Sequence, residues 1–464
     1  MSDRRSNDKN IEKHDLSPKE LRHKRRVRNQ VIAYVSLVIL ICGVGAGAVY
    51  GIKVLGKKLY ESKVASAEQE ANKDDYVPVI SAPDPSEETD AVGEADNGED
   101  SAQQVEEVEV ETPEQLLEEV VQSCIGEMSL EDKVAGLFII TPEQLTGVDN
   151  AIKAGDGTKE ALEQYAVGGI VYSSKNIQSS DQIKEMLANT VSYSKYPIFL
   201  AVEEEPGKDS TIGKALKLDA TDTAAAIGSA GDANAAYEAY SGIAGRLATY
   251  GFNLDLAPVA DVLSNPENES IGDRAFGVES SVVSDMVSRA VAGLKDNGIT
   301  VCLKHFPGQG GADGDTHKGL ASVSASADDI KLNDIPPFLS GVEAGADMIM
   351  VGHFMAPSIT GDSTVPCSMS KAVMTELLRG EYGYNGVIIT DALNVTSVSE
   401  YYAADEAAIK CLKAGADMLL MPEDFKTAYE GVIAAVKDGT IDEQRINDSL
   451  ARVYRIKYRS TVEN

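Results

Sequence analysis

The chain has 464 residues with 42 Lys/Arg against 74 Asp/Glu, five His, five Cys and no Trp, giving a formal net charge of −32. So acidic a balance argues against a nucleic-acid partner, which needs a basic face. No CxxC or Cys/His ligand spacing occurs, which argues against a structural zinc site, and the length allows one large barrel with appendages or roughly two or three average domains.

In chain order, residues 1–28 form a basic tail with ten Lys/Arg and five Asp/Glu. Residues 29–52 carry no charge and are rich in Val, Ile, Leu, Ala and Gly. That length suffices to cross a bilayer core, and the basic excess before it predicts a single transmembrane anchor with a cytoplasmic N-terminus and an extracellular bulk. Secretion after signal cleavage is the rival reading, because Ala46-Gly47-Ala48 resembles a cleavage site; the long basic region and the uncharged residues after the site favour the anchor. Residues 53–111 read as an acidic disordered linker. Within it, 64–111 hold 16 Asp/Glu and one Lys, with too few large apolar groups to offset the entropy of ordering.

Thr112-Pro113-Glu114-Gln115 predicts a helix start with a capping box and a first-turn proline. Eight short apolar runs follow, at 134–140, 168–173, 197–203, 252–261, 299–305, 347–355, 386–391 and 418–422. They lack in–out alternation, as strands covered on both faces do. Helical patterns lie between them at 233–249, 278–296, 370–382 and 404–414, and 425–459 predicts two terminal helices. Eight βα units predict a (β/α)8 TIM-type barrel over 112–464, with an open doubly wound sheet as runner-up. Cys302 falls in a predicted strand and Cys411 in a predicted helix, which favours free buried thiols.

The chemistry collects where these runs end. Lys304-His305-Phe306-Pro307-Gly308-Gln309-Gly310 leads into Asp315-Thr316-His317, and Gly386 to Thr390 runs into Asp391. Glu203, Asp261 and His353 also lie at predicted strand ends, so every histidine beyond the basic tail sits at or after one. In a barrel those ends form the active-site mouth. Together these residues suggest an Asp nucleophile with a His proton shuttle.

The motifs resemble glycoside hydrolase family 3, in particular its single-domain, NagZ-type β-N-acetylglucosaminidases. The resemblance starts at Met128-Ser129-Leu130-Glu131-Asp132-Lys133-Val134 and runs through Gly168-Gly169-Ile170, Asn253-Leu254-Asp255 and Ala257-Pro258-Val259-Ala260-Asp261. It continues in Ile271-Gly272-Asp273-Arg274-Ala275-Phe276-Gly277, the His305 cluster, Thr390-Asp391-Ala392-Leu393 and Ala414-Gly415-Ala416-Asp417. It implies a retaining exo-glycosidase that removes terminal non-reducing β-linked N-acetylglucosamine from cell-wall, muropeptide-type glycans. Asp391 is then the nucleophile, and His317, oriented by Asp315, the general acid/base. Lys304, His305, Arg274, Glu203, Asp261 and, less directly, His353 would bind the sugar. No metal or organic cofactor is implied, and no oligomeric state.

The pattern departs from the family after the third run. Glu203-Glu204-Glu205-Pro206-Gly207-Lys208 stands where Asp-Gln-Glu-Gly-Gly-Arg is expected, a family arginine near Thr211 is absent, and Gln309 replaces a second histidine. These changes touch recognition rather than the nucleophile. They keep open a sugar-binding or wall-associated scaffold with a degenerate pocket. Phosphate as acceptor in place of water, and a β-glucosidase, are further alternatives.

Overall fold

The computed structural model describes residues 112–462. Eight parallel strands close into a barrel in chain order: β1 Phe138–Ile140, β2 Gly169–Tyr172, β3 Phe199–Val202, β4 Leu254–Asp255, β5 Thr300–Phe306, β6 Met348–Val351, β7 Val387–Ala392 and β8 Met418–Leu420. β1 pairs with β8, with Phe138 opposite Leu419, so no edge is left open. The predicted barrel is present and the open sheet is excluded.

The helix start at Thr112 forms as its sequence dictates. Thr112 Oγ1 accepts the Gln115 N–H at 3.3 Å while Gln115 Oε1 accepts the Thr112 N–H at 2.8 Å, opening α1, Pro113–Glu127. The outer layer includes α2 Ser180–Tyr193, α3 Ala233–Tyr250, α4 Ser280–Lys295, α5 Pro336–Glu343, a π-wound helix at Ala372–Glu381, α6 Ala404–Ala414, α7 Phe425–Lys437 and α8 Glu443–Val462. These buried faces and the strands form one continuous core. Cys124, Cys302, Cys367 and Cys411 are all free and buried in it.

Two expected runs shorten. In 134–140 the first residues complete a helical turn, Leu130–Ala135, and only Phe138–Ile140 is strand. The run 252–261 keeps two strand residues because Pro258 has no N–H to give the ladder. The chain still follows β5, with Ala260 N donating to Lys304 O at 2.7 Å, and this carries Asp261 to the mouth. Among the described residues no helix is long and apolar enough to cross a membrane. The anchor at 29–52 and the linker at 53–111 lie outside the described residues.

Candidate active site

β3 hands the chain to three consecutive glutamates with different surroundings. Glu205 is buried, with Oε1 at 2.7 Å from both Lys304 Nζ and Arg274 Nη2, and Oε2 at 2.8 Å from Arg274 Nε. Glu203 is the exposed member, yet its Oε1 lies 2.5 Å from Lys304 Nζ and 3.2 Å from Arg274 Nη2. Two cations are therefore matched by two carboxylates at the mouth. Glu204 turns the other way, accepting Ser210 Oγ at 2.6 Å and the Ile212 N–H at 2.8 Å, which fixes the divergent loop to the barrel.

Electrostatics follow from this packing. Burial opposes the charge on Lys304, but Glu203 and Glu205 outweigh it and hold the ammonium's pKa above its ordinary value. Burial also works against an ionised Glu205, and Lys304 and Arg274 reverse that, holding its carboxyl well below the usual range. Asp255, at the end of β4, has no cation so close. Burial pushes its carboxyl well above the ordinary range.

β5 supplies Lys304 and His305, and the loop after it returns against Asp261. Asp261 Oδ2 lies 2.8 Å from His305 Nδ1, and Oδ1 accepts the Gln309 N–H at 2.7 Å. Gly308 has φ +128°, and a Cβ there would stand 2.5 Å from the Asp334 Cβ, so only glycine lets this loop pass. His305 is thus fixed by a carboxylate behind it, as a ligand-holding imidazole requires.

Asp391 lies in β7 and is 8% exposed. Its Oδ1 accepts the Ala392 N–H at 2.7 Å. Burial raises its pKa, but the imidazole of His305, the Ala392 N–H and His317 act against burial, and the carboxyl lies below the ordinary value. It is an ionised carboxylate at neutral pH, a state in which a carboxylate can act as a nucleophile.

His317 is exposed on the loop after β5 and lies within electrostatic reach of Asp391. Asp315 is beside it, but the expected ring contact is replaced by a backbone one. Asp315 Oδ1 accepts the His317 N–H at 3.0 Å and Oδ2 pairs with Lys318 Nζ at 3.0 Å, while among the described residues nothing hydrogen-bonds the imidazole. Asp315 therefore shapes the turn rather than the ring.

His353 was expected near the sugar. It is fully buried, with Nδ1 2.6 Å from Ser368 Oγ and Nε2 3.1 Å from the Ala392 carbonyl oxygen. A carbonyl only accepts, so Nε2 carries the proton and Nδ1 accepts from Ser368. Burial lowers the imidazole's pKa and keeps it neutral. Both ring nitrogens are engaged by protein, at Ser368 and at Ala392 next to Asp391, which leaves neither free for a ligand.

The sequence places Glu203 to Glu205 together at the strand end, but only Glu203 is given a sugar-binding role there, and the weight carried by Glu205 goes unassigned. The signal was available in the third carboxylate of the strand-end run. A cavity of about 380 Å³ lies beside Glu203, Glu205, Arg274 and Asp273. A second of about 400 Å³, lined by Glu267, Asp315 and Lys318, shares Glu269 and Ser270 with it. That shared rim lies between the Arg274 side and the turn that carries His317. Among the described residues no group of three or more His, Cys, Asp or Glu side chains is placed to hold a metal ion.

The chain is similar to known proteins. Beta-hexosaminidase A of Pseudoalteromonas piscicida is 30% identical over 325 residues, covering 64% of this chain and 54% of the relative, so the chain spans about half of that protein's length. Beta-hexosaminidase LpqI of Mycobacterium tuberculosis is 28% identical over 339 residues, covering 71% of this chain and 83% of the relative. Among solved structures, a glycoside hydrolase family 3 β-N-acetylglucosaminidase from Paenibacillus superposes with a TM-score of 0.67 at 30% identity, covering 73% of this chain and 64% of that one. Residues 129–456 match the glycosyl hydrolase family 3 N terminal domain, and the chain belongs to that family of glycoside hydrolases.

Proposed function

We propose that the barrel is a retaining β-N-acetylglucosaminidase acting on terminal β-linked N-acetylglucosamine. One observation carries the reading: an ionised Asp391 at the mouth within electrostatic reach of the exposed His317. The hexosaminidase relatives support the substrate class.

In the first step an Asp391 carboxylate oxygen bonds to the anomeric carbon as the glycosidic bond breaks. The departing oxygen takes the proton of the His317 imidazolium. In the second, the imidazole accepts a proton from water, whose oxygen displaces Asp391 and releases the sugar with retained configuration. Lys304, Arg274, His305 and Glu203 would hold sugar hydroxyls, with Asp261 behind His305. Each buried hydroxyl requires such a partner. His353 braces the strand end that bears Asp391.

We further propose that residues 29–52 anchor the enzyme in a membrane with its N-terminus cytoplasmic and its barrel outside, where wall-derived glycans are its substrates. The uncharged run and the preceding excess of Lys/Arg support this. A second reading, a binding scaffold with a degenerate pocket, is favoured by Glu203 occupying both Lys304 and Arg274.

Turnover of 4-nitrophenyl β-N-acetylglucosaminide by the full chain separates these readings. Turnover abolished by Asp391→Ala and strongly reduced by His317→Ala supports the enzyme. Saccharide binding without turnover supports the scaffold.

A further inference from the structure

The imidazole of His317 has no hydrogen bond among the described residues, so its position is set by the backbone that carries it. That backbone is anchored at its root. Asp313 and Ser322 exchange N–H···O bonds of 2.8 and 3.1 Å, and Val323 N and Met355 N bind the neighbouring chain through Met355 O and Ala321 O at 2.8 and 2.9 Å. Between the root strands, Gly314 at φ +103° and Gly319 at φ +157° bracket the turn. The bonds of Asp315 to His317 N, Lys318 and Gly319 N are internal to that turn. They give it shape without fixing it to the barrel.

Two hydrogen bonds join residues 315–319 to the remaining described residues. Thr396 Oγ1 donates to His317 O at 2.9 Å, and Ser397 N donates to Thr316 O at 3.1 Å. Both partners belong to the segment that begins five residues after Asp391 in the chain. Under them Thr316 and Ser397 are buried, and neither hydroxyl finds a hydrogen-bond partner. Closing the turn thus removes two hydroxyls from water with nothing in return, which weakens the closed contact. Opening rewets them. The turn is held to the barrel by few bonds.

We propose that Thr396 is a positioning residue for the acid/base: its hydroxyl latches the turn carrying His317 onto the segment that follows the nucleophile. The inference rests on the reading of His317 as acid/base. The latch fixes the distance between proton donor and nucleophile while a glycan is bound, and it yields when the product leaves. A hydroxyl donating to the carbonyl of the catalytic residue itself leaves that residue little freedom to swing away.

The test uses the full chain and aryl β-N-acetylglucosaminides whose phenols span a wide range of acidity, with kcat/KM as readout. A poor leaving group needs its proton and a dinitrophenolate does not. Thr396→Val is expected to lower kcat/KM for the phenyl substrate on the order of tenfold while the dinitrophenyl substrate stays within about twofold. Thr396→Ser, which keeps the hydroxyl, restores the phenyl rate, and His317→Ala shows the same grading more steeply. If His317→Ala is graded and Thr396→Val is uniform or silent, the latch is refuted. If His317→Ala itself shows no grading, the acid/base reading fails first and the latch with it.

Discussion

His353 Nε2 lies 3.1 Å from the carbonyl oxygen of Ala392, the residue whose own N–H holds Asp391 Oδ1 at 2.7 Å. Asp391 is therefore braced through its neighbour, and Ser368 sets the tautomer that makes the brace work. His353→Ala is expected to lower kcat/KM about 100-fold, equally for good and poor leaving groups, because it misplaces Asp391, the proposed nucleophile, rather than His317, the proposed proton donor. A leaving-group-dependent loss contradicts this placement.

Glu205 compensates two buried or half-buried cations at once. Glu205→Gln leaves Lys304 and Arg274 underpaired and is expected to cost about 3–5 kcal/mol, read from urea denaturation at neutral pH. Glu203→Gln, at an exposed carboxylate, is expected to cost no more than about 1 kcal/mol. Equal losses contradict the division of labour between the two.

Glu203 reaches Lys304 and Arg274 with one oxygen because it is one methylene longer than the aspartate of the family pattern. Glu203→Asp withdraws that oxygen, so both cations, still paired with Glu205, gain room to donate to sugar hydroxyls. The expected result is a rise of several-fold in kcat/KM for the N-acetylglucosaminide, carried by KM. A fall carried by kcat shows that Glu203 itself serves the reacting sugar.

Asp334 is 5% exposed, lies against the Gly308 turn, and is pushed up to about 7 by burial, with Asp261 and Asp329 adding to the effect. A raised carboxyl pKa means that the folded state holds the proton more tightly than the unfolded one. Stability contributed by the neutral acid is full below the unfolded value and declines as pH rises toward 7. Asp334→Asn removes that decline, so the variant is expected to exceed the parent by roughly 2–4 kcal/mol at pH 8, converging at low pH. Parallel stability profiles for the two proteins contradict the assignment.

Much of this was legible from sequence where one local rule decides the outcome. The apolar runs gave eight strands, Thr112 and Gln115 gave the first helix cap, and the ends of β5 and β7 delivered Lys304, His305 and Asp391 to one mouth. What escaped depends on how residues far apart in the chain meet. The ring nitrogens of His353 are taken by Ser368 and Ala392, 15 and 39 residues away, and no spacing announces that. Likewise Asp315 sits two residues from His317 as expected, but its carboxylate turns to the backbone and to Lys318. Proximity in sequence gave the neighbour and not the atom.

The most direct test of the account is whether the sugar becomes bonded to Asp391. A 5-fluoro-N-acetylglucosaminyl fluoride, which slows breakdown of a glycosyl-enzyme more than its formation, would be incubated with the full chain. Intact mass and peptide mapping then read the product. The account predicts a gain of one glycosyl unit per chain, on the peptide holding Asp391 and absent from Asp391→Ala. A stable adduct on another carboxylate, such as Glu203 or Glu205, would contradict it.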